Sequence, residues 1–165
     1  MIELLQGHGA KVIGFNILYS EKDANQGLQP IREIVKSIED NPALQKDKPV
    51  ADIYANLKTA EKNLDHDTAL SNALEASQQV VLPFFFVMGA PILMDAKSMD
   101  EVILRNSISL NRAPDLLTAR EFISPVPEFL AHALAVGHIN LVADSDGAVR
   151  SEALLIDYGG RAFPS

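Results

Sequence analysis

Lys11-Val12-Ile13-Gly14-Phe15-Asn16-Ile17-Leu18-Tyr19 is a nearly continuous apolar run. Apolar residues at consecutive rather than alternate positions are typical of a strand covered on both faces, as in a parallel sheet. A second run of this kind occupies Val80–Val87, and the preceding segment Asp67–Ser77 has apolar residues on one helical face. This order predicts a strand–helix–strand crossover, with the strands as parallel neighbours or near-neighbours and the helix packed across their sheet. The sequence therefore predicts an α/β fold.

The stretch from Lys22 to Leu64 has a different composition, with mixed charge and three prolines. Two short amphipathic patterns, Ile31–Ile38 and Ile53–Ala60, each predict a helix. Pro30 and Pro49 suit first-turn positions, because proline lacks the N–H that a first turn leaves unpaired. We therefore predict a charged helical insertion at residues 22–64.

The carboxyl-terminal part predicts a helix from Ser124 to Gly137, followed by a β-hairpin over Gly137-His-Ile-Asn-Leu-Val-Ala-Asp-Ser-Asp-Gly-Ala-Val-Arg150. Asp146-Gly147 is a pair that tolerates positive φ at a tight turn. Apolar residues alternate from Ile139 to Ala143 before this turn, and a second strand is predicted from Val149 towards Ile156. Together these patterns predict a mixed, mainly parallel sheet flanked by helices, with a C-terminal β-hairpin.

Weaker patterns lie between these segments. Met99–Arg105 predicts a helix, and Ser107–Leu110 predicts a short strand. The longest apolar stretch, residues 80–94, contains two prolines and is shorter than the roughly 20 residues that span a bilayer. We expect it to be a buried strand.

Length, charge and cysteine content limit the classes of function. The 165 residues fit a single domain, residues 1–165, which is large enough to bury a core without a disulfide, and the chain has no cysteine. The formal net charge of −8, without a Lys/Arg cluster, argues against a phosphate-backbone ligand. We therefore expect no nucleic-acid partner, and membrane contact only through flanking helices outside this chain.

Polar residues near the predicted strand ends are the candidate ligand contacts. Asn16 and Ser20 lie toward the carboxyl end of the first strand, the side of an open α/β sheet where ligands bind. Phe85, in the second strand, would add an apolar wall beside Asn16. Three consecutive phenylalanines are more often core residues, because alternate side chains point to opposite covered faces. A small-molecule crevice and a packed core are both open at this point.

His138 and Asn140 form a second candidate group, because side chains two residues apart lie on the same face of a strand. Asp144 or Arg150 would be their partners in contacting a ligand. The alternative, which we favour, is a buried hydrogen-bond network that holds the hairpin, since buried polar groups are nearly always satisfied.

The sequence predicts no metal, cofactor or catalytic site. Asp144-Ser-Asp146-Gly is too short for a calcium loop, which needs further oxygen ligands and a distal acid at a fixed offset. His132 and His138 lack an apparent third ligand for zinc. The chain has no nucleophile elbow, Gly-rich phosphate loop, His-Glu-x-x-His motif or cysteine. We therefore expect this chain to have no turnover of its own.

Several motifs, in order, resemble the type-two CHASE domain, the extracytoplasmic sensor module of bacterial membrane receptors. They are Gly-Ala-x-x-x-Gly-Phe-Asn-Ile-Leu-Tyr-Ser-Glu at residues 9–21, Asp-x-x-Leu-x-x-Ala-Leu at 67–74, Val-Val-Leu at 80–82, Gly-His-x-Asn at 137–140 and Asp-x-Asp-Gly-x-x-Arg at 144–150. Asn16 stands where the family usually has an acidic residue, and Ser151 where a second Arg is common. The motifs extend over most of the chain.

The resemblance implies a sensory input domain on the periplasmic or extracellular side of the cytoplasmic membrane. The chain would be truncated at both ends, and the full-length protein would be anchored in the membrane and carry a cyclase, kinase or phosphodiesterase domain. The domain would bind a small molecule or a partner protein without catalysis, and the resemblance is compatible with a homodimer. Two alternatives are a small α/β hydrolase-like enzyme fragment using a carboxylate and a ligand-free dimerisation module.

Overall fold

In the computed structural model, which describes residues 1–90, 99–109 and 115–165 without the side chain of Gln45, the chain divides into two units. One comprises Met1–Glu21 and Ala73–Ser165, and the other comprises Lys22–Asn72. The first contains the sheet, and the second is helical. That residues 22–64 are an insertion within one domain stays a prediction.

The sheet is mixed, which confirms the α/β prediction. Its described strands number seven: β1 (Ile13–Gly14), β2 (Val80–Met88), β3 (Ile108–Ser109), β4 (Leu117–Ile123), β5 (Ala135–His138), β6 (Leu155–Tyr158) and β7 (Arg161–Pro164). β2 pairs in parallel with β1 and β5, and antiparallel with β4. The sheet continues through a parallel β4–β6 pair to the antiparallel pairs β6–β7 and β7–β3.

Helices form where the sequence has helical periodicity. They are α1 (Ile2–Gly7), α2 (Leu28–Glu39), α3 (Lys48–Leu64), α4 (His66–Ser77), α5 (Glu101–Arg105) and α6 (Pro127–Leu130), with a 3₁₀ turn at Leu44–Lys46. The helices predicted at Ile31–Ile38, Ile53–Ala60, Asp67–Ser77 and Met99–Arg105 correspond to α2, α3, α4 and α5. The short strand predicted at Ser107–Leu110 corresponds to β3, and Leu110 lies outside the described residues.

The predicted parallel pairing of the segments Lys11–Tyr19 and Val80–Val87 is confirmed, with Ile13 opposite Val80, although only Ile13–Gly14 of the first segment forms a strand. The N–H of Phe15 extends this pairing by donating to the carbonyl oxygen of Val81 at 3.0 Å. The prediction that this strand is covered on both faces is wrong, because the side chains of Val12 and Ile17 are exposed. Both residues lie outside β1, which spans only Ile13–Gly14, so neither belongs to the part of the segment that pairs in the sheet.

The core of the sheet unit is a cluster of aromatic rings. Phe84 and Phe86 of β2 are fully buried, with ring centroids 5.0 Å apart and nearly perpendicular planes. Phe163 of β7 lies 6.1 and 5.5 Å from these two rings, and Tyr158 of β6 lies 5.7 Å from Phe86. Burying each such side chain stabilises the fold by about 1.5–3 kcal/mol, so this cluster fastens β2 to the carboxyl-terminal hairpin.

The C-terminal hairpin exists, but its turn lies later in the chain than the sequence predicts. β6 and β7 are joined by Gly159 and Gly160, which both have positive φ, as a tight hairpin turn requires. The predicted hairpin around Asp146–Gly147 is wrong, since residues 139–154 contain no strand. The side chains of Leu141 and Leu154 are 68% and 69% exposed, so the apolar alternation in this segment has no buried face.

The helix predicted from Ser124 to Gly137 is also wrong beyond its first part. α6 ends at Leu130, and residues 135–138 form β5. The N–H of Leu134 donates to the carbonyl oxygen of Val80 at 2.8 Å, which starts the pairing with β2. Sheet hydrogen bonds to a distant strand thus replace the helical bonds that local periodicity favoured.

The helical unit is joined by ion pairs and a small apolar contact. Arg32 on α2 reaches Glu61 on α3 and Asp65 beyond its end. Val35 and Ile38 are the buried residues of α2. Because these charges are partly exposed, each ion pair contributes only on the order of 1 kcal/mol or less.

Candidate ligand site at the carboxyl ends of parallel strands

The geometry of β2 defines one edge of the sheet as the candidate site. Val81 pairs with Gly14 of β1 and with Ala135 of β5, so these two strands lie on opposite sides of β2. All three are parallel, and their carboxyl ends therefore point to the same edge, where ligands bind in open α/β sheets. Asn16 follows β1 and Asn140 follows β5, each by two residues. The structure thus puts a polar residue after each flanking strand.

Asn16 and Ser20 lie in a segment that is anchored by its aromatic residues. The ring of Tyr19 packs 6.0 Å from that of Phe15 and 5.8 Å from that of Phe129 on α6. The carbonyl oxygen of Tyr19 accepts a hydrogen bond of 2.8 Å from the N–H of residue 126. The side chains of Asn16 and Ser20 are exposed. Both are therefore available to a ligand on a segment whose backbone is fixed.

Phe85 differs from its two phenylalanine neighbours. Phe84 and Phe86 are fully buried, whereas the side chain of Phe85 is 37% exposed, as expected for alternation along a strand. The antiparallel register puts Ile123 of β4, also exposed, opposite Phe85. The three phenylalanines thus supply two core residues and one surface residue. No hydrogen bond or ring contact among the described residues joins Phe85 to Asn16.

The side chain of Asn140 forms its hydrogen bonds with the backbone of β2. Its side chain is buried, at 3% exposure, and its Oδ1 accepts from the N–H of Phe86 at 2.8 Å. Its Nδ2 donates to the carbonyl oxygen of the same residue at 2.7 Å. The amide group therefore acts as one further peptide unit in the β5–β2 pairing. This is the buried network that the sequence left as an alternative to ligand contact.

His138 is buried in the aromatic core rather than facing the edge. Its ring is 2% exposed and lies 6.4 and 6.1 Å from the rings of Phe84 and Phe86. Neither Nδ1 nor Nε2 has a hydrogen-bond partner among the described residues. Burial lowers the pKa of this imidazole below its usual value near 6.5, while the negative charge of Glu152 opposes that shift. His138 is therefore neutral near pH 7.

Asp144 and Arg150 form a separate exposed cluster. The Nη1 of Arg150 donates to Asp144 at 2.9 Å, and both terminal nitrogens donate to the carboxylate of Asp146, at 2.9 and 2.7 Å. These hydrogen bonds lower the pKa of Asp146. The carboxylates of Asp144 and Asp146 thus both accept hydrogen bonds from the guanidinium of Arg150. Among the described residues, neither Asp144 nor Arg150 hydrogen-bonds to His138 or Asn140, and no acid–His cluster could hold a metal ion.

The turn within this cluster is well formed. The N–H of Gly147 donates to the carbonyl oxygen of Asp144, and the N–H of Asp144 donates to that of Ala148, both at 2.9 Å. Gly147 has φ = +82°. The predicted positive φ is therefore confirmed, although no strands flank the turn.

Comparison with models of protein families identifies the family of this chain. The model of the CHASE2 domain matches residues 1–165, the whole chain. The chain belongs to the CHASE2 domain family. CHASE2 domains are extracytoplasmic sensory domains of signalling receptors and are not themselves catalytic, so this chain has a sensory role. Comparisons with curated proteins and with solved structures found no match. No described helix of this CHASE2 domain is long and apolar enough to cross a membrane.

Two features of the site were missed by sequence reasoning. Glu152, whose charge acts on His138, lies in a segment without periodicity, so no local pattern marks it. Gly137 lies against the carboxyl-terminal end of the chain, where a Cβ would stand 2.9 Å from the carbonyl carbon of Ser165. The Gly-His-x-Asn motif contained the signal for that close contact, because a glycine within a strand often marks the approach of another backbone.

Proposed function

We propose that this CHASE2 domain is the extracytoplasmic input domain of a bacterial transmembrane receptor, on the periplasmic or extracellular side of the membrane. The family match over residues 1–165 carries the proposal. A small molecule or partner protein stabilises one arrangement of the domain, and flanking membrane helices pass this bias to a cytoplasmic cyclase, kinase or phosphodiesterase domain. The ligand acts only through its difference in affinity for the two arrangements.

Within the domain, we propose that the ligand contacts Asn16, Ser20 and Phe85 first. Their support is exposure together with position, since Asn16 and Ser20 follow the carboxyl end of β1. His138 and Asn140 connect this edge to the core and respond to binding through the β5–β2 pairing. The exposed Asp144–Arg150 ion pair is a second polar contact for a ligand or partner.

The domain acts by binding and not by turnover. The described residues offer a His–Asp pair, with Nδ1 of His66 2.9 Å from Oδ2 of Asp23 in the helical unit, but no hydroxyl hydrogen-bonds to that imidazole. A nucleophile within hydrogen-bond reach of a base is the arrangement that covalent catalysis needs. The carboxylate-based hydrolase alternative therefore has little structural support.

A paired experiment tests the binding role. The purified domain is screened by thermal shift against a metabolite library, and by turnover assays against ester, phosphoester and glycoside panels. We expect a ligand that raises Tm, an effect weakened by Asn16→Ala or Ser20→Ala but unchanged by Asn63→Ala, which alters an exposed amide of the helical unit. Turnover that disappears on Asp144→Ala would contradict the proposal. A ligand insensitive to both edge variants would place the pocket elsewhere.

Self-association is a second candidate role, favoured by a specific observation. The segment between β5 and β6 exposes large apolar side chains to a second copy, among them those of Leu141, Val149 and Leu154. A homodimer through this segment would make the domain a dimerisation module. Analytical ultracentrifugation of the wild type and of Leu141→Ser tests this role. A wild-type dimer that becomes a monomer on Leu141→Ser supports it, and a wild-type monomer at all concentrations contradicts it.

A further inference from the structure

We propose that His138 is an acid-sensitive latch, whose protonation releases the carboxyl end of β5 from β2 and frees the segment Ile139–Leu154. The device is a property of this chain's own fold. It does not depend on whether the domain binds a ligand, so it goes beyond the proposed sensory function.

The first observation is the environment of the ring. His138 is 2% exposed, and two of its contacts are the rings of Phe84 and Phe86. A neutral imidazole can be buried there at moderate cost, although neither nitrogen has a hydrogen-bond partner among the described residues. An imidazolium would bury a positive charge with two unpaired N–H donors, which is far more costly. Protonation therefore favours any arrangement that brings the ring to water.

The second observation concerns the charged groups around the ring. β2 contributes no titratable side chain, α5 brings Glu101 and Arg105 towards β5, and β7 brings Arg161. Arg105 donates to backbone carbonyl oxygens and Arg161 to a serine hydroxyl. Glu152 is the group in the described residues whose charge acts on His138, and its side chain is exposed. Its carboxylate forms no hydrogen bond with the buried ring, whose two nitrogens have no hydrogen-bond partner among the described residues.

The third observation couples the ring to the strand. His138 lies between Gly137, which is packed against the backbone of Ser165, and Asn140, which hydrogen-bonds twice to Phe86. In the proposed open state, the backbone at His138 moves outward with the ring and displaces Asn140, two residues away, from Phe86. Loss of the two amide hydrogen bonds then unpairs the edge of β2. Protonation at one buried group is thus transmitted to a segment of 16 residues, 139–154.

The sign of the pH dependence follows from the direction of the pKa shift. The pKa of His138 is lowered in the folded state by burial. Once open, the imidazole regains its ordinary pKa of about 6.5 and binds the proton more tightly. The closed state is therefore most stable above about pH 6.5 and loses stability as the pH falls below that value. The closed-to-open ratio falls at most about tenfold for each pH unit, because one proton is involved.

Hydrogen–deuterium exchange of the purified domain at pH 7.5 and 5.0, corrected for the intrinsic pH dependence of exchange, tests the latch. We expect amides in residues 84–88 and 135–142 to lose protection at pH 5.0 relative to β6 and β7. His138→Phe replaces the imidazole with an apolar ring and should abolish this loss. The matched control His132→Phe changes a half-buried histidine outside β5 and should leave the loss as in the wild type.

An NMR titration of the histidine rings in the wild-type domain supplies the second measurement. The latch requires the His138 ring to titrate below about 6.5. Titration of that ring at or above this value, or an equal acid response in His138→Phe, would overturn the proposal. If His138→Phe does not fold, the wild-type domain decides, because the loss of protection in residues 84–88 and 135–142 must then follow the same pH dependence as the titration of the His138 ring.

Discussion

At the scale of single residues, the side-chain amide of Asn140 takes the place of a backbone peptide group in the sheet. Asn140 follows β5, and its amide supplies both the acceptor and the donor that a further strand residue would offer to Phe86. The sequence spacing predicts that His138 and Asn140 lie on one face, and both side chains are indeed buried. The partner was not predictable, because Phe86 lies 54 positions away.

Replacing Asn140 should therefore lower the stability of the fold, because its side chain is hydrogen-bonded to the backbone and does not face solvent. Asn140→Ala leaves the N–H and carbonyl groups of Phe86 buried without partners, and each such group costs about 1–3 kcal/mol. We expect the free energy of unfolding to fall by about 2–4 kcal/mol in denaturant titrations at pH 7.5. Asn16→Ala, which removes an exposed amide of the same sheet unit, is the control and should stay within about 0.5 kcal/mol of the wild type. Equal stability of the two variants would show that Asn140 does not act as described.

At the scale of elements, prediction succeeded where the deciding interactions are local. β2 and helices α2 to α4 lie where the sequence predicts them, because the apolar spacing that favours each element is contained in its own residues. β5 was predicted as part of a helix, and Ile139–Ile156 as the arms of a hairpin. Apolar spacing within a segment cannot show that Ala135 pairs in parallel with Val81 of β2, 54 residues earlier in the chain. The same difference between local and long-range interactions applies to the candidate site. Strand-end positions and the alternation of the three phenylalanines were predictable, whereas the exposure of the face that carries Phe85 was not, because the sequence does not show what covers that face.

The turn at Asp146–Gly147 allows a test at this scale. Gly147 has φ = +82° and open space around its missing Cβ, so substitution introduces backbone strain without a clash. Gly147→Val should destabilise the domain by about 1–2 kcal/mol or more, because a β-branched residue disfavours positive φ. Gly14→Val is the matched control, at an equally open position without positive φ, and should cost less.

The same turn should not depend on calcium, because Arg150 already pairs with both Asp144 and Asp146. We expect millimolar calcium to leave the Tm of the wild type unchanged. A rise in Tm with calcium that disappears in Asp144→Ala would show instead that the two carboxylates form a cation site.

At the scale of the whole molecule, the proposed input role belongs to a domain outside the cytoplasm. Family membership over residues 1–165 gives the sensory role, and we propose that the signal is bound by the exposed residues Asn16, Ser20 and Phe85. Both depend on the domain facing the periplasm or the extracellular medium. A ligand could otherwise reach it only after crossing the membrane.

The absence of cysteine from this chain makes its location directly measurable. Ser151→Cys puts a thiol at an exposed position, and Ser77→Cys puts one at a buried position as a control for folding. Each variant is made in the full-length protein in its native membrane, and the unmodified protein supplies the background. Intact cells, with an outer membrane made permeable where one is present, are treated with a membrane-impermeant maleimide. We predict that Ser151→Cys is labelled in intact cells while Ser77→Cys is labelled only after denaturation. Labelling of Ser151→Cys only after the cytoplasmic membrane is broken would contradict the account.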